Sequence, residues 1–191
     1  MRYQADHKNE ARNKLLEAAG RGFRRHGFGG IGVDGLAKEA GVTSGAFYGH
    51  FKSKELAFIE IAIAGLNDLR AGIETLQANS GEQWSKVFVD FYLGERLHCS
   101  LDSSCGLQSL TPDIMRASDK TKQRYEAALV EVAEQLAIGL QGKTKAARRE
   151  KAWALMALLS GGVTMARSMA SPDLQQQLAN QLKHTALAIL N

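Results

Sequence analysis

Within ten residues the chain sets Thr43, Ser44, Gly45, Tyr48, Gly49, His50 and Lys52. Two hydroxyls, a phenol, an imidazole and an ammonium can all donate hydrogen bonds to anionic oxygen or to polar ring edges. Phe47 and Phe51, interleaved among them, are one helical turn apart and can pack inward together. Tyr48 then points about 100° away from Phe47. The stretch has one face that packs and one that can touch a charged surface. A core aromatic is the alternative for Tyr48, and the Phe47–Phe51 pair favours outward contact. His50 fits a satisfied surface histidine as well as a reader of polar edges.

Other reactive groups are sparse. Cys99 and Cys105 are the only cysteines, too few for a disulfide framework, and their spacing leaves a bridge between them open. His98, Cys99 and Cys105 lack a fourth ligand and zinc-like spacing, so no metal site and no cofactor are expected. Neither a Gly-rich phosphate loop nor a nucleophile elbow occurs, which argues against an enzyme. Cys105-Gly106 stands just before a helix, where a thiol is more readily ionised and so more reactive. An inert buried thiol is the commoner state of a free cysteine. Trp84, Phe88, Phe91, Tyr92, Met115, Tyr125 and Met156 have the apolar, aromatic character of a cavity lining. The same stripe at helical spacing also describes ordinary core.

The elements that must position these groups are all helical. Leu15, Leu16, Ala19 and Phe23 recur at helical spacing, and Gly27 is a plausible stop behind Arg24, Arg25 and His26. "VDGLAKEAG" reads as a short helix with Val33, Leu36, Ala37 and Ala40 buried. Thr43 caps a second short helix over 44–50, with Val42, Ala46, Phe47 and Phe51 inward. Ser53 caps a long helix to about Gln77, and another runs from Trp84 to about His98. Thr111-Pro112 and Ser171-Pro172 read as caps with proline in the first turn. Further helices start at Ser118, at Ala146 and after Ser171, the last with Leu174, Leu178, Leu182 and Leu187 as its face. No alternating run competes, so the fold class is all-α. The chain shows no signal peptide and no membrane-length apolar run, which places it in the cytoplasm away from membranes.

A first helix, then helix, Gly-containing turn and helix, is the layout of a helix-turn-helix unit, whose second helix lies in the DNA major groove. Charge agrees with that layout. Net charge is +4, and residues 1–55 hold ten Lys/Arg against six Asp/Glu while the remainder is balanced. On charge alone a solvated basic surface fits equally. Arg2, Tyr3, Lys8 and Arg12 could reach phosphates, although a solvated helix face suits most of them.

"LLEAAGRGFRRHGFGG" and "GVDGLAKEAGVTSGAFYGHFKSKELAF" resemble the DNA-binding segment of the tetracycline-repressor (TetR) family of bacterial transcription regulators. The resemblance implies a three-helix DNA reader over 1–53 and a helical effector-binding and dimerisation domain over 54–191. It implies a homodimeric repressor on a near-palindromic double-stranded operator, released by a small-molecule effector. Thr43, Ser44 and Gly45 would open the recognition helix, with Tyr48 and Lys52 on phosphates. Relatives with Cys-Gly at the place of Cys105-Gly106 include thiol sensors. Two positions depart from the family pattern: Gly32 replaces a hydroxyl residue, and Ser44 stands where many members carry Lys. Ser160, Gly161 and Gly162 interrupt a good helix, and the resemblance assigns that close approach to the dimer, a kink being the alternative.

Overall fold

The computed structural model describes residues 2–190, with side chains from residue 10 onward. Ten helices carry the described chain: α1 (Arg2–Gly30), α2 (Val33–Glu39), α3 (Ser44–His50), α4 (Lys54–Asn79), α5 (Trp84–Leu93), α6 (Glu95–His98), α7 (Gly106–Ile114), α8 (Asp119–Gly139), α9 (Lys145–Arg167) and α10 (Pro172–Leu190). No strand occurs among the described residues, as the all-α expectation has it. None of these helices is long and apolar enough to cross a membrane.

The chain forms two compact units. One reaches from the N-terminal helix to Gly65 and takes in Ser100–Tyr125; the other holds Leu66–Cys99 and the chain from Glu126 on. The expected cut between 53 and 54 does not follow this division. The start of α4, all of α7 and the start of α8 pack with α1–α3, so the first unit is larger than a bare three-helix reader.

The first unit is built on aromatic packing. Phe23 and Phe58 meet edge to face at 5.2 Å, and Phe28 lies 5.1 Å from Phe58. Such pairs add about 0.5–1.5 kcal/mol beyond buried area. α1 breaks at Gly27, where φ is 72°, in the left-handed region that favours glycine. That break carries Phe28 back over α4. Lys54 Nζ lies 4.3 Å over the Phe28 ring and donates to the Phe28 carbonyl. Asp113 Oδ2 of α7 accepts from the Phe28 N–H at 2.8 Å. Arg25 bridges Glu39 at 3.1 Å and Asp102 at 3.0 Å. The Glu55 carboxylate accepts from Ser118 at 2.8 Å and Thr121 at 2.7 Å. Those hydrogen bonds, Thr121 first, hold its pKa below the usual value. At Gly106 an added Cβ would stand 3.3 Å from the Gly65 Cα, so two backbones meet there directly.

In the second unit the inward face joins Leu66, Ile73, Phe88, Val89, Leu136, Leu155, Leu159 and Val163, all under a tenth exposed. The Trp84 indole donates to the Gly139 carbonyl at 3.1 Å. Arg167 donates to the carbonyls of Arg96 (2.9 Å) and Cys99 (2.8 Å), satisfying the end of α6. At Gly162 an added Cβ would meet Leu182 of α10 at 2.4 Å, while Gly161 faces open space. The close approach inferred for the Gly161–Gly162 pair is therefore in part internal, between α9 and α10.

Several local expectations change. Pro112 sits inside α7 rather than opening a helix. α7 begins at Gly106 because Leu107, Leu110 and Ile114 already make a buried stripe. Val42 is 40 % exposed and Ala46 is exposed. A seven-residue helix presents one narrow inward stripe, and Phe47 and Phe51 fill it. Gly94, with φ −103° and ψ −92°, separates α5 from α6, where one helix to His98 was expected. Leu174 is 52 % exposed, so the apolar face of α10 is only partly covered.

Candidate nucleic-acid interface

The α2–α3 segment is short and therefore tightly specified. Gly41, at φ 66°, makes the turn after α2. The Val42 N–H reaches back to the Ala37 carbonyl at 2.9 Å. Thr43 Oγ1 accepts from the Ala46 N–H at 3.2 Å, capping α3. Phe51 closes α3 through its N–H to the Phe47 carbonyl at 2.9 Å. Ser53 Oγ accepts from the Leu56 N–H at 3.1 Å and starts α4 one step later. Gly32, at the start of α2, provides no side-chain cap.

Two side chains hold α3 from behind. Phe47 is 0 % and Phe51 2 % exposed, with their rings 5.2 Å apart. Arg12 of α1 lies 5.3 Å over the Phe51 ring and pairs with Glu60. That guanidinium is engaged in the fold, so Arg12 is not placed as a free phosphate contact. The side chains of Arg2, Tyr3 and Lys8 lie outside the described residues.

The opposite face of α3 is open. Thr43, Gly45, Tyr48, Gly49 and Lys52 are exposed, and Ser44 and His50 are half-buried. Tyr48 is 55 % exposed, its ring edge-on to Phe47 at 5.8 Å. All seven residues singled out by sequence lie in the first unit, five of them exposed and two half-buried. An added Cβ on Gly49 would meet nothing within 4 Å, and on Gly45 only Thr43 Oγ1 at 3.8 Å. Packing within the chain does not require either glycine, yet each costs a helix about 1 kcal/mol relative to Ala. What they leave is bare backbone on an exposed face. Ser44 Oγ donates to Asp34 of α2, a contact that the sequence pattern did not signal. Lys54 was not singled out, and it is committed to Phe28.

The apolar set expected to line a cavity divides. Trp84, Phe88, Tyr92 and Met156 are buried in the second unit, and Phe91 is half-buried there under Arg96, 5.1 Å away. Met115 and Tyr125 belong to the first unit. Met115 is 65 % exposed at the end of α7, away from any core. Tyr125 is buried, its hydroxyl 2.8 Å from Thr111 Oγ1, and burial pushes its pKa up to about 12. Trp84 also borders a cleft of about 560 Å³ with Gln77, Ser85, Ile138 and Leu140. Cys105 is the half-buried cap residue of α7, its carbonyl accepting from the Ser109 N–H and hydroxyl, both at 3.0 Å. Both thiols are free. No three His, Cys, Asp or Glu side chains cluster as metal ligands among the described residues.

Neighbouring residues of α3 divide into anchor and surface, and stability separates them. Phe47→Ala is expected to cost about 3–5 kcal/mol, the range for emptying a buried aromatic site. Tyr48→Ala is expected to cost no more than about 1.5 kcal/mol, the upper worth of its edge-on contact with Phe47. Chemical denaturation of both variants checks this.

Residues 15–61 match the family described as "Bacterial regulatory proteins, tetR family". YdgC, an uncharacterized HTH-type transcriptional regulator of Bacillus subtilis (strain 168), is 36% identical over 72 residues, 38% of this chain. A second such regulator of that organism, YerO, is 40% identical over 47 residues, 25% of this chain. The matches take in only 37% and 16% of those relatives' own lengths. Likeness of fold extends much further. The reduced form of Escherichia coli NemR superposes with a TM-score of 0.73 over 92% of this chain and 96% of its own, at 19% identity. A TetR-family regulator from Agrobacterium tumefaciens gives 0.75 over 93% and 97%, at 15% identity. The chain thus carries the sequence signature of the tetR family of bacterial regulatory proteins over residues 15–61, and it folds like TetR-family regulators along nearly its whole length.

Proposed function

We propose that the protein is a ligand-responsive, DNA-binding transcriptional regulator that acts as a repressor. The observation that carries this reading is the α3 surface: hydroxyls, a phenol, an imidazole and bare glycine backbone, held out by two buried phenylalanines. Small residues let backbone approach a duplex, and the polar groups suit phosphate and base edges. Thr43, Ser44, Gly45, Tyr48, Gly49 and His50 contact DNA from α3 and its cap. Lys52 sits just before the N-terminus of α4, whose dipole favours a phosphate.

Two copies present two such heads, matching a near-palindromic operator. The dimer forms through α9 and α10. Exposed Ala154, Ala157, Gly161 and Met165 on α9, and the 52 % exposed Leu174 on α10, support that face. Effector binding is supported by a buried, unpaired acceptor. Gln108 of α7 is 8 % exposed, and its side-chain oxygen has no hydrogen-bond partner. A ligand donor would satisfy that oxygen. α7 is also the helix whose Asp113 holds the Phe28 N–H at the end of α1. A change in α7 therefore bears directly on the end of α1, the helix whose Arg12 lies over Phe51 behind α3. Modification of Cys105, at the first turn of the same helix, would act by that route. The reduced form in which the structurally similar NemR was crystallised agrees with a thiol-based variant of release.

Two measurements test this reading. Lys52→Ala is expected to weaken binding to all duplexes alike and to lower the slope of log affinity against log salt by about one. Unchanged slope and affinity remove Lys52 from the interface. Peroxide treatment is expected to oxidise Cys105 first to the sulfenic acid and to release DNA. Cys105→Ser is expected to keep binding after the same treatment. Mass spectrometry with gel-shift titration reads both, and oxidised protein that still binds ends the thiol mechanism.

A further inference from the structure

The start of α2 carries a carboxylate that opposes a polyanion. Asp34 is exposed in the first turn of α2, and its Oδ1 accepts the Ser44 hydroxyl of α3 across the turn. A carboxylate on this face repels phosphate, so Ser44 does not sit in a phosphate-binding environment. The chemistry of the contact is directional. A carboxylate at neutral pH only accepts, so the shared proton belongs to Ser44 and is committed to Asp34. Ser44 is left with lone pairs, and the second carboxylate oxygen of Asp34 adds more. The two side chains together then offer acceptors and no free donor.

In the major groove, acceptors and donors are not evenly shared among bases. Cytosine N4 and adenine N6 donate, whereas guanine O6 and N7 and thymine O4 accept. We propose that Asp34 and Ser44 form a specificity-determining pair that selects an amino-bearing base, cytosine or adenine, opposite the start of α3. Guanine or thymine there would face acceptor with acceptor and lose a hydrogen bond while burying it unpaired. The inference rests on the DNA-reading function proposed above and names part of its code. Asp34 is then a positioning residue as well as a contact, because it decides which way the Ser44 hydroxyl faces. A structural role alone, a negative charge at the start of α2, would favour that helix without any preference among bases.

Selection of duplexes from a random pool tests this, with full-length wild type, Asp34→Ala, Ser44→Ala and the double variant. Both positions lie at the surface, and thermal melts confirm folding of each variant. The wild type is expected to enrich cytosine or adenine at one position of each half-site, with discrimination of about tenfold. Each single variant is expected to lose that preference at that position alone, and the double variant to lose no more than either. The pair is overturned if Asp34→Ala keeps the preference. It is equally overturned if that variant shifts affinity by one factor for every sequence, as loss of a plain charge would. A wild type that binds duplex DNA with an unrelated base at that position overturns the pair and leaves DNA reading intact. A wild type that enriches no duplex overturns both.

Discussion

A seven-residue helix cannot hold itself together in water, since isolated helices shorter than about 12–15 residues are marginal at best. α3 exists because Phe47 and Phe51 bury their rings behind it. Everything on its outer face inherits its position from that anchor. Thr43 fixes where the helix starts, Gly41 fixes how the chain enters, and Arg12 closes over Phe51 from α1. The outer face is then free to carry residues that contribute nothing to folding. Gly45 and Gly49 belong to this class, at some cost to helix stability, and Tyr48 adds only an edge-on contact with Phe47. A surface that gives up stability without an internal reason is most simply explained by an external partner.

The rest of the same unit is braced by polar contacts between its helices. The left-handed Gly27 turns the chain so that the Phe28 N–H and carbonyl point to different partners, Asp113 and Lys54. Glu55, at the start of α4, is held by Ser118 and Thr121 at the start of α8. α1, α4, α7 and α8 therefore meet within one compact unit through charged or charge-assisted bonds. Such bonds are directional, and a small displacement of one partner breaks them. This gives the regulatory reading a physical route: whatever shifts α7 strains the contacts that seat the reader. The close Gly65–Gly106 backbone approach makes α7 hard to move without moving α4.

Much of this was legible from residue order. Thr43 and the Phe47/Phe51 spacing gave the bounds of α3, and Gly27 marked the break in α1, because caps and glycine breaks are local signals. Ser171-Pro172 is a local signal of the same kind, Ser171 accepting from the Leu174 N–H at the start of α10. The identical-looking Thr111-Pro112 misled. There the Thr111 hydroxyl turns back to the Leu107 carbonyl and to Tyr125, and α7 continues through the proline. Local chemistry allowed both outcomes, and tertiary packing of Leu107, Leu110 and Ile114 decided. Met115 shows the same limit, since helical spacing marks a face without saying whether anything covers it. Val42 and Ala46 looked apolar enough to bury, but the narrow stripe of a short helix had no room for them. The Asp34–Ser44 bond joins two helices at a spacing of ten residues, and no periodic pattern announces such a contact.

The central claim is that the open face of α3 is covered by duplex DNA. Hydroxyl-radical footprinting of the full chain, with mass-spectrometric readout and a duplex enriched from a random pool, tests it directly. Tyr48 and Met115 are both well exposed in the free protein, at 55 % and 65 %, and serve as target and internal control. The account predicts that saturating duplex protects Tyr48 while Met115 remains as reactive as before. Tyr48 that stays fully reactive in the complex would contradict it.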